Sequence, residues 1–114
     1  MDTNQLKKLE KAAGILMGHQ KDLAVCALAT LIRVALKHPH PALQHELSDN
    51  DDFSIPATSR HLNFWAGTGK RYWNATKAKL VNFDPVPSDR RYNQATLTPD
   101  GVKFMNKILK ALED

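Results

Sequence analysis

His38, His40, His45 and Glu46 are the residues whose types first invite chemistry, since three imidazoles and a carboxylate close together can hold a divalent cation. Their spacing fits no tetrahedral zinc pattern, and Pro39 and Pro41 dominate the segment. No metal is expected there. Cys26 is the single cysteine, so an internal disulfide is excluded. Within Leu23-Ala24-Val25-Cys26-Ala27-Leu28 it reads as a small buried hydrophobe and not as a nucleophile. Gly67-Thr68-Gly69-Lys70 lacks the first glycine and the spacing of a phosphate-cradling loop. No Ser/His/Asp set and no Cys/His pair stands out, and the acidic residues are scattered. Neither an enzyme nor a cofactor is expected.

A second set of residues fits a different chemistry. Ser59, Arg60 and Asn63 are small or polar side chains with one Arg, the kind that reads base edges in a major groove. Arg60, Lys70, Arg71, Lys77, Lys79, Arg90 and Arg91 are the basic residues between Thr58 and Arg91, against only Asp84 and Asp89. That segment carries a net +5, which leaves −1 for the rest of a chain whose total is +4. A basic block on an otherwise neutral chain is the electrostatic footprint of a polyanion partner. A solvated basic face without a partner is the plainer alternative.

The elements that must position these side chains follow from spacing. Thr58, Leu62 and Trp65 stand at i, i+4 and i+7, which predicts a helix from Ile55 to Ala66 with that face buried. Ser54 is its natural N-cap, Pro56 suits its first turn, and Gly67-Thr68-Gly69 ends it. The exposed face then presents Ala57, Ser59, Arg60 and Asn63. Ahead of it, Pro41 to Leu47 reads as a short helix, and Ser48 to Asp52 as a turn. Two short helices joined by a turn make a helix-turn-helix candidate.

The first helix is expected over Asp2 to Met17, with Leu6, Leu9, Ala13 and Leu16 as a thin inward stripe, Asp2 or Thr3 as cap and Gly18 as its end. His19 to Lys37 is apolar almost all round and is expected to be a long, largely buried helix at the centre of the core. His38-Pro39-His40-Pro41 stops it. The longest apolar run, Leu23 to Leu36, is too short to span a bilayer and contains Arg33. The first residues are polar and charged, so neither a signal peptide nor a membrane anchor is expected, and a cytoplasmic setting is.

Lys70 to Lys79 reads as a loop and a helical turn. Leu80 to Phe83 and Arg91 to Leu97 read as strands around a turn-rich loop, Asp84 to Asp89, giving a hairpin with a basic tip. Thr98 caps a last helix with Pro99 at its start. In that helix Val102, Met105, Leu109 and Leu112 form a seam that packs either within the chain or against a second copy. The fold class is therefore mainly α with a small β-hairpin. At 114 residues one domain is expected, with an N-terminal helix at 1–18, a body at 19–98 and a C-terminal helix at 99–114.

That order of elements is the order of a winged helix-turn-helix, and the chain resembles the MarR family of bacterial transcription regulators over roughly residues 23–110. Pro56-Ala57-Thr58-Ser59-Arg60-His61-Leu62 resembles the start of that family's recognition helix. Leu80-Val81, Asp84-Pro85 and Ser88-Asp89-Arg90-Arg91 resemble its wing. Leu97-Thr98-Pro99-Asp100-Gly101 resembles its strand-to-helix junction. The resemblance implies that Arg91 enters a minor groove while Asp89 holds its guanidinium, and that a homodimer forms through the N- and C-terminal helices. The chain departs from the pattern in an insert near Thr68 to Ala78 and in a shorter C-terminal region, features that fit a phage or plasmid protein.

The expected function is sequence-specific binding of double-stranded DNA in transcription regulation. Ser59, Arg60 and Asn63 would touch bases, Asp89, Arg90 and Arg91 would form the wing contact, and Lys70, Arg71, Lys77 and Lys79 would meet phosphates. Two alternatives stand beside it. One is a winged-helix adaptor with a protein partner. The other is a replication or single-strand-binding factor using Tyr72 and Trp73 as stacking platforms.

Overall fold

The computed structural model describes residues 1–48, 54–68 and 79–113. Within them the chain is mainly helical, with a small three-stranded antiparallel sheet. No helix among the described residues is long and apolar enough to cross a membrane.

Helix α1 runs Thr3–His19, two residues further than expected, because Gly18 continues the helix instead of ending it. Asp2 caps it: one carboxylate oxygen accepts from the Asn4 and Gln5 amides at 2.9 and 3.2 Å. The expected inward stripe is displaced. Leu6, Leu9 and Ala13 are exposed, and Ala12 is the buried residue, with Ile15 and Leu16 packed against the core. Helix α1 lies antiparallel along the last helix, α5 (Pro99–Glu113). Lys8 Nζ donates to the Glu113 carbonyl near one end (3.2 Å), and the His19 ring meets Phe104 near the other (5.2 Å between centroids).

Helix α2 spans Val25–Lys37, not the whole of His19 to Lys37. The residues before it form a turn, and this late start changes the exposure of the segment. Ala27, Thr30, Leu31 and Val34 face inward at helical spacing, while Val25, Ile32 and Leu36 are exposed. The helix is therefore buried on one side only, and Cys26, on its first turn, is exposed and not buried. Thr30 is satisfied by donating to the Cys26 carbonyl at 2.9 Å.

Ala42–Leu43 is a strand, β1, where a helix was expected to begin, and helix α3 is only Gln44–Leu47. Ala42 pairs with Ala95 and Leu43 with Gln94, a long-range pairing that fully buries Ala42 and Ala95. Arg33 ties α2 to α3 by donating to the Leu47 carbonyl at 3.2 Å.

Helix α4 is Ile55–Ala66, as the spacing predicts. Ser54 Oγ accepts from the Ala57 amide, Pro56 sits in the first turn, and Gly67 closes the helix in the left-handed region at φ 68°. That backbone conformation is open to glycine at little cost. Thr58, Leu62 and Trp65 are buried, and His61 joins them on the same face. Trp65 is 1% exposed and its indole N–H donates to the Ala27 carbonyl at 2.7 Å, which fixes α4 against the first turn of α2.

Strands β2 (Val81–Val86) and β3 (Asp89–Leu97) form the hairpin, and the sheet order is β1-β3-β2. Both strands run closer to the tip than expected, so the connection is only Pro87 and Ser88. The strand-to-helix junction is tightly tied. The Leu80 amide donates to the Trp65 carbonyl and the Thr98 amide to the Leu80 carbonyl, both at 3.0 Å. Thr98 Oγ1 accepts from the Gly101 amide (2.9 Å) and donates to the Lys79 carbonyl (2.6 Å), so it both caps α5 and pins the start of β2.

In α5 the buried positions are Gly101, Met105, Ile108 and Ala111. The expected seam of Val102, Met105, Leu109 and Leu112 is thus split. Met105 is inside, Val102 is half-buried, and Leu109 and Leu112 are exposed. The core gathers these α5 residues with Leu31, Val34, Leu62, Trp65, Val81 and Ala95.

Candidate nucleic-acid interface

Two features carry the residues singled out for contact, the outer face of α4 and the tip of the hairpin. On α4, burying Thr58, His61, Leu62 and Trp65 turns the opposite side outward. Arg60 is exposed there, and Ser59 and Asn63 are half-buried. Asn63 is partly committed: its side-chain oxygen accepts from the Thr68 hydroxyl at 2.7 Å, and its carbonyl accepts from the Thr68 amide at 3.0 Å. Its side-chain NH2 group makes no hydrogen bond among the described residues and remains a donor.

The hairpin tip is built by an irregularity. From Val81 to Pro85 the strands keep one register, ending at Pro85 opposite Asn93; Val86 then pairs with Asp89. Arg90, Arg91 and Tyr92 therefore face no registered residue on β2. Bulges of this kind bend a strand and re-aim its side chains. Pro85 and Pro87 have no N–H to offer the ladder, which accounts for the break at this point.

Asp89 and Arg91 form a fork-to-fork pair across the bulge. Arg91 Nε donates to Asp89 Oδ1 at 3.0 Å and Arg91 NH2 to Oδ2 at 2.8 Å, and the Arg91 amide donates to Oδ1 at 3.2 Å. The Arg91 side-chain hydrogen bond, followed by the backbone one, holds the Asp89 carboxyl below the usual range, and the carboxylate raises the guanidinium further. Asp89 thus stays ionised at any ordinary pH. A guanidinium has five N–H donors. Two are held by Asp89, and three remain directed away from it. The Arg91 side chain is 81% exposed, so these donors face solvent. Tyr92 stands beside it, with Arg91 Cζ 5.7 Å from the ring centroid. Arg90 is exposed.

A shallow cleft of about 240 Å³ connects the two features. It is lined by Gln44 and His45 from α3, Ile55 at the start of α4, and Arg91, Tyr92 and Asn93 from β3. His45 packs on Tyr92 at 5.2 Å. Asn93 donates to the Gln44 side-chain oxygen at 3.2 Å, and Gln44 donates to the Ile55 carbonyl at 3.5 Å. Helices α3 and α4 and the hairpin are therefore fastened together through Gln44. Sequence reasoning missed Gln44, Tyr92 and Asn93 here, and weighed His45 only as a metal ligand. Period-two alternation places Asn93 on the same strand face as buried Ala95, and that was the available signal.

Lys79 is exposed, and its carbonyl anchors Thr98. Lys70, Arg71 and Lys77, with Tyr72 and Trp73, lie outside the described residues, as does the turn at Asn50 to Asp52. Among the described residues no group of three or more His, Cys, Asp or Glu is placed to hold a metal ion. His45 is engaged with Tyr92, and Glu46 bonds the Leu43 amide (3.4 Å) and lies 3.9 Å from Lys37.

No protein-family model matches this chain, and no curated protein matches it.

Proposed function

We propose that the chain is a winged helix-turn-helix domain of the MarR type that binds double-stranded DNA and regulates transcription. In this reading α3 and α4 are the helix-turn-helix, α4 lies in a major groove, and the β2–β3 hairpin is the wing. Ser59, Arg60 and Asn63 read bases. Lys79 and Arg90 meet phosphates, joined by Lys70, Arg71 and Lys77, and these contacts position the protein without specifying sequence. Two copies pair through α1 and α5, whose exposed Leu6, Leu9, Met17, Leu109 and Leu112 need cover.

The observation that carries the reading is the Asp89–Arg91 fork. A solvent-exposed ion pair contributes little to stability and costs side-chain entropy. Holding an exposed Arg so fully ordered makes physical sense when the ordered group has a target. A narrow minor groove, with its concentrated negative potential, is such a target for Arg. The order of elements and the β1-β3-β2 sheet also suit a wing beside a helix-turn-helix.

Selection of bound sequences from random duplex DNA tests the proposal. Enrichment of a two-fold symmetric site is expected, with Arg60→Ala relaxing one base position per half-site at a cost of about 1–3 kcal/mol. Absence of any enriched duplex, together with capture of a protein partner that is lost on mutating Met105 and Leu109, would replace it with the adaptor reading. The exposed Ile32, Leu36 and Leu109, which line a cavity of about 310 Å³ between α2 and α5, are what favours that second reading.

A further inference from the structure

Ile55 is the first residue of α4, and its side chain is 60% exposed although Thr58, three residues on, is fully buried. It lines the cleft between α4 and the hairpin together with Tyr92, which is 44% exposed. An aliphatic side chain and an aromatic ring thus stand open beside Arg91, in an interface whose other exposed arginines are Arg60 and Arg90. The Ile55 backbone is held in place. Its carbonyl accepts from the Gln44 side chain at 3.5 Å, and Ser54 caps the turn that it opens. Ser59, four residues on, shares the same edge of the helix.

The chemistry of the side chain restricts what it can recognise. Isoleucine has no donor or acceptor to offer. Base edges in a major groove are polar except at one point, the C5 methyl group of thymine. Against any other edge Ile55 strips water from donors or acceptors and gives no bond in return. Its branched Cβ leaves χ1 nearly fixed, so little side-chain freedom is lost on contact. Recognition helices meet base edges with their N-terminal residues, and Ile55 is the N-terminal residue of α4.

We propose that Ile55 is a specificity-determining residue that selects thymine through its C5 methyl group, with the Tyr92 ring shielding the contact from water. The assignment rests on the reading above that α4 lies in a major groove.

Deoxyuridine lacks only that methyl group and keeps the pairing with adenine, so uracil replacement tests the contact in an otherwise unchanged duplex. The duplex enriched by selection is made with uracil at each thymine in turn, at the same place in both half-sites, and its affinity is read by fluorescence anisotropy. At one thymine position the replacement is expected to weaken binding about fourfold per half-site, the scale of one methyl group withdrawn from apolar contact. Ile55→Ala and Ile55→Gln, changes at an exposed position, are each expected to bind the thymine and uracil duplexes alike. Val25→Ala, at an exposed apolar position on α2, is expected to keep the parent's discrimination. The proposal is overturned if the enriched half-site contains no thymine or if no uracil replacement weakens the parent. It is also overturned if the Ile55 variants still discriminate as the parent does, or if Val25→Ala loses the discrimination as they do. In each of these cases a duplex is still bound, so the role of Ile55 falls while the DNA-binding reading stands. Failure to enrich any duplex overturns both.

Discussion

Gly101→Ala separates local propensity from tertiary packing with opposite signs. Gly101 is in the first turn of α5, where alanine would favour the helix by up to about 1 kcal/mol. Its backbone is not in the left-handed region, so no conformational demand requires glycine. What requires it is space. A Cβ there would fall on the Leu80 carbonyl oxygen, well inside contact distance, with the Leu80 carbonyl carbon at 3.1 Å and Leu97 Cδ2 at 3.3 Å. The obstacle is backbone, and it cannot swing aside as a side chain does. Moving Leu80 strains the bonds it makes to Thr98 and Trp65. Overpacking costs about 1–3 kcal/mol, and each weakened hydrogen bond costs roughly 0.5–1.5 kcal/mol. With both Leu80 bonds weakened and the propensity gain subtracted, the net destabilisation is about 1–5 kcal/mol. For a chain of this size that lowers the melting temperature by roughly 4–20 °C. Thermal unfolding followed by far-ultraviolet circular dichroism reads it directly. A variant as stable as the parent, or more stable, would refute the seating of α5 on the β2 strand start.

Three further outcomes follow from the same geometry. Trp65→Phe removes the indole bond to Ala27 and leaves a void between α2 and α4, and chemical denaturation should show a loss of about 2–3 kcal/mol. His61 has a folded-state pKa below its unfolded value near 6.5, so the unfolded chain takes up the proton first as pH falls. Its contribution is present above that value and lost below it, and His61→Gln should flatten that part of the stability–pH profile. Asp89→Asn should leave the melting temperature unchanged, because the pair is exposed, yet weaken duplex binding by freeing the Arg91 guanidinium from its fixed orientation. Equal duplex affinity for the parent and Asp89→Asn would remove the assigned role of the fork.

Local signals in the sequence were legible where one residue dominates the chemistry of an element's end. Ser54, Pro56 and Gly67 bound α4 correctly, and Thr98 with Pro99 placed the start of α5. The inner face of α4 was nearly complete, with Thr58, Leu62 and Trp65 identified. His61 was missed because a polar residue breaks the apolar pattern, although it stands three after Thr58 and four before Trp65. Long-range features were not legible. Strand β1 exists only because Ala42 meets Ala95, and two residues carry too little local preference to announce a strand. The exposure of Cys26, Val25 and Leu36 depends on where α2 begins and on which side its neighbours lie, and an apolar run does not encode that. In α1 and α5 the choice between Leu6 and Ala12, or Leu109 and Ile108, is set by the angle at which the two helices meet. For the candidate interface, Asp89 and Arg91 were legible as a pair. Their clamp to α3 through Gln44 and Asn93 was not, since those residues are far apart in the chain.

The salt dependence of duplex binding tests the central claim most directly. Fluorescence anisotropy with a labelled duplex, repeated across a range of salt concentrations, gives the slope of log affinity against log salt. DNA binding predicts a straight, steep decline of roughly 0.9 per phosphate neutralised, a slope that Lys79→Ala reduces by about one contact, and weaker binding to a single strand of the same sequence. No duplex binding at low salt, or an affinity that salt does not change, would contradict it.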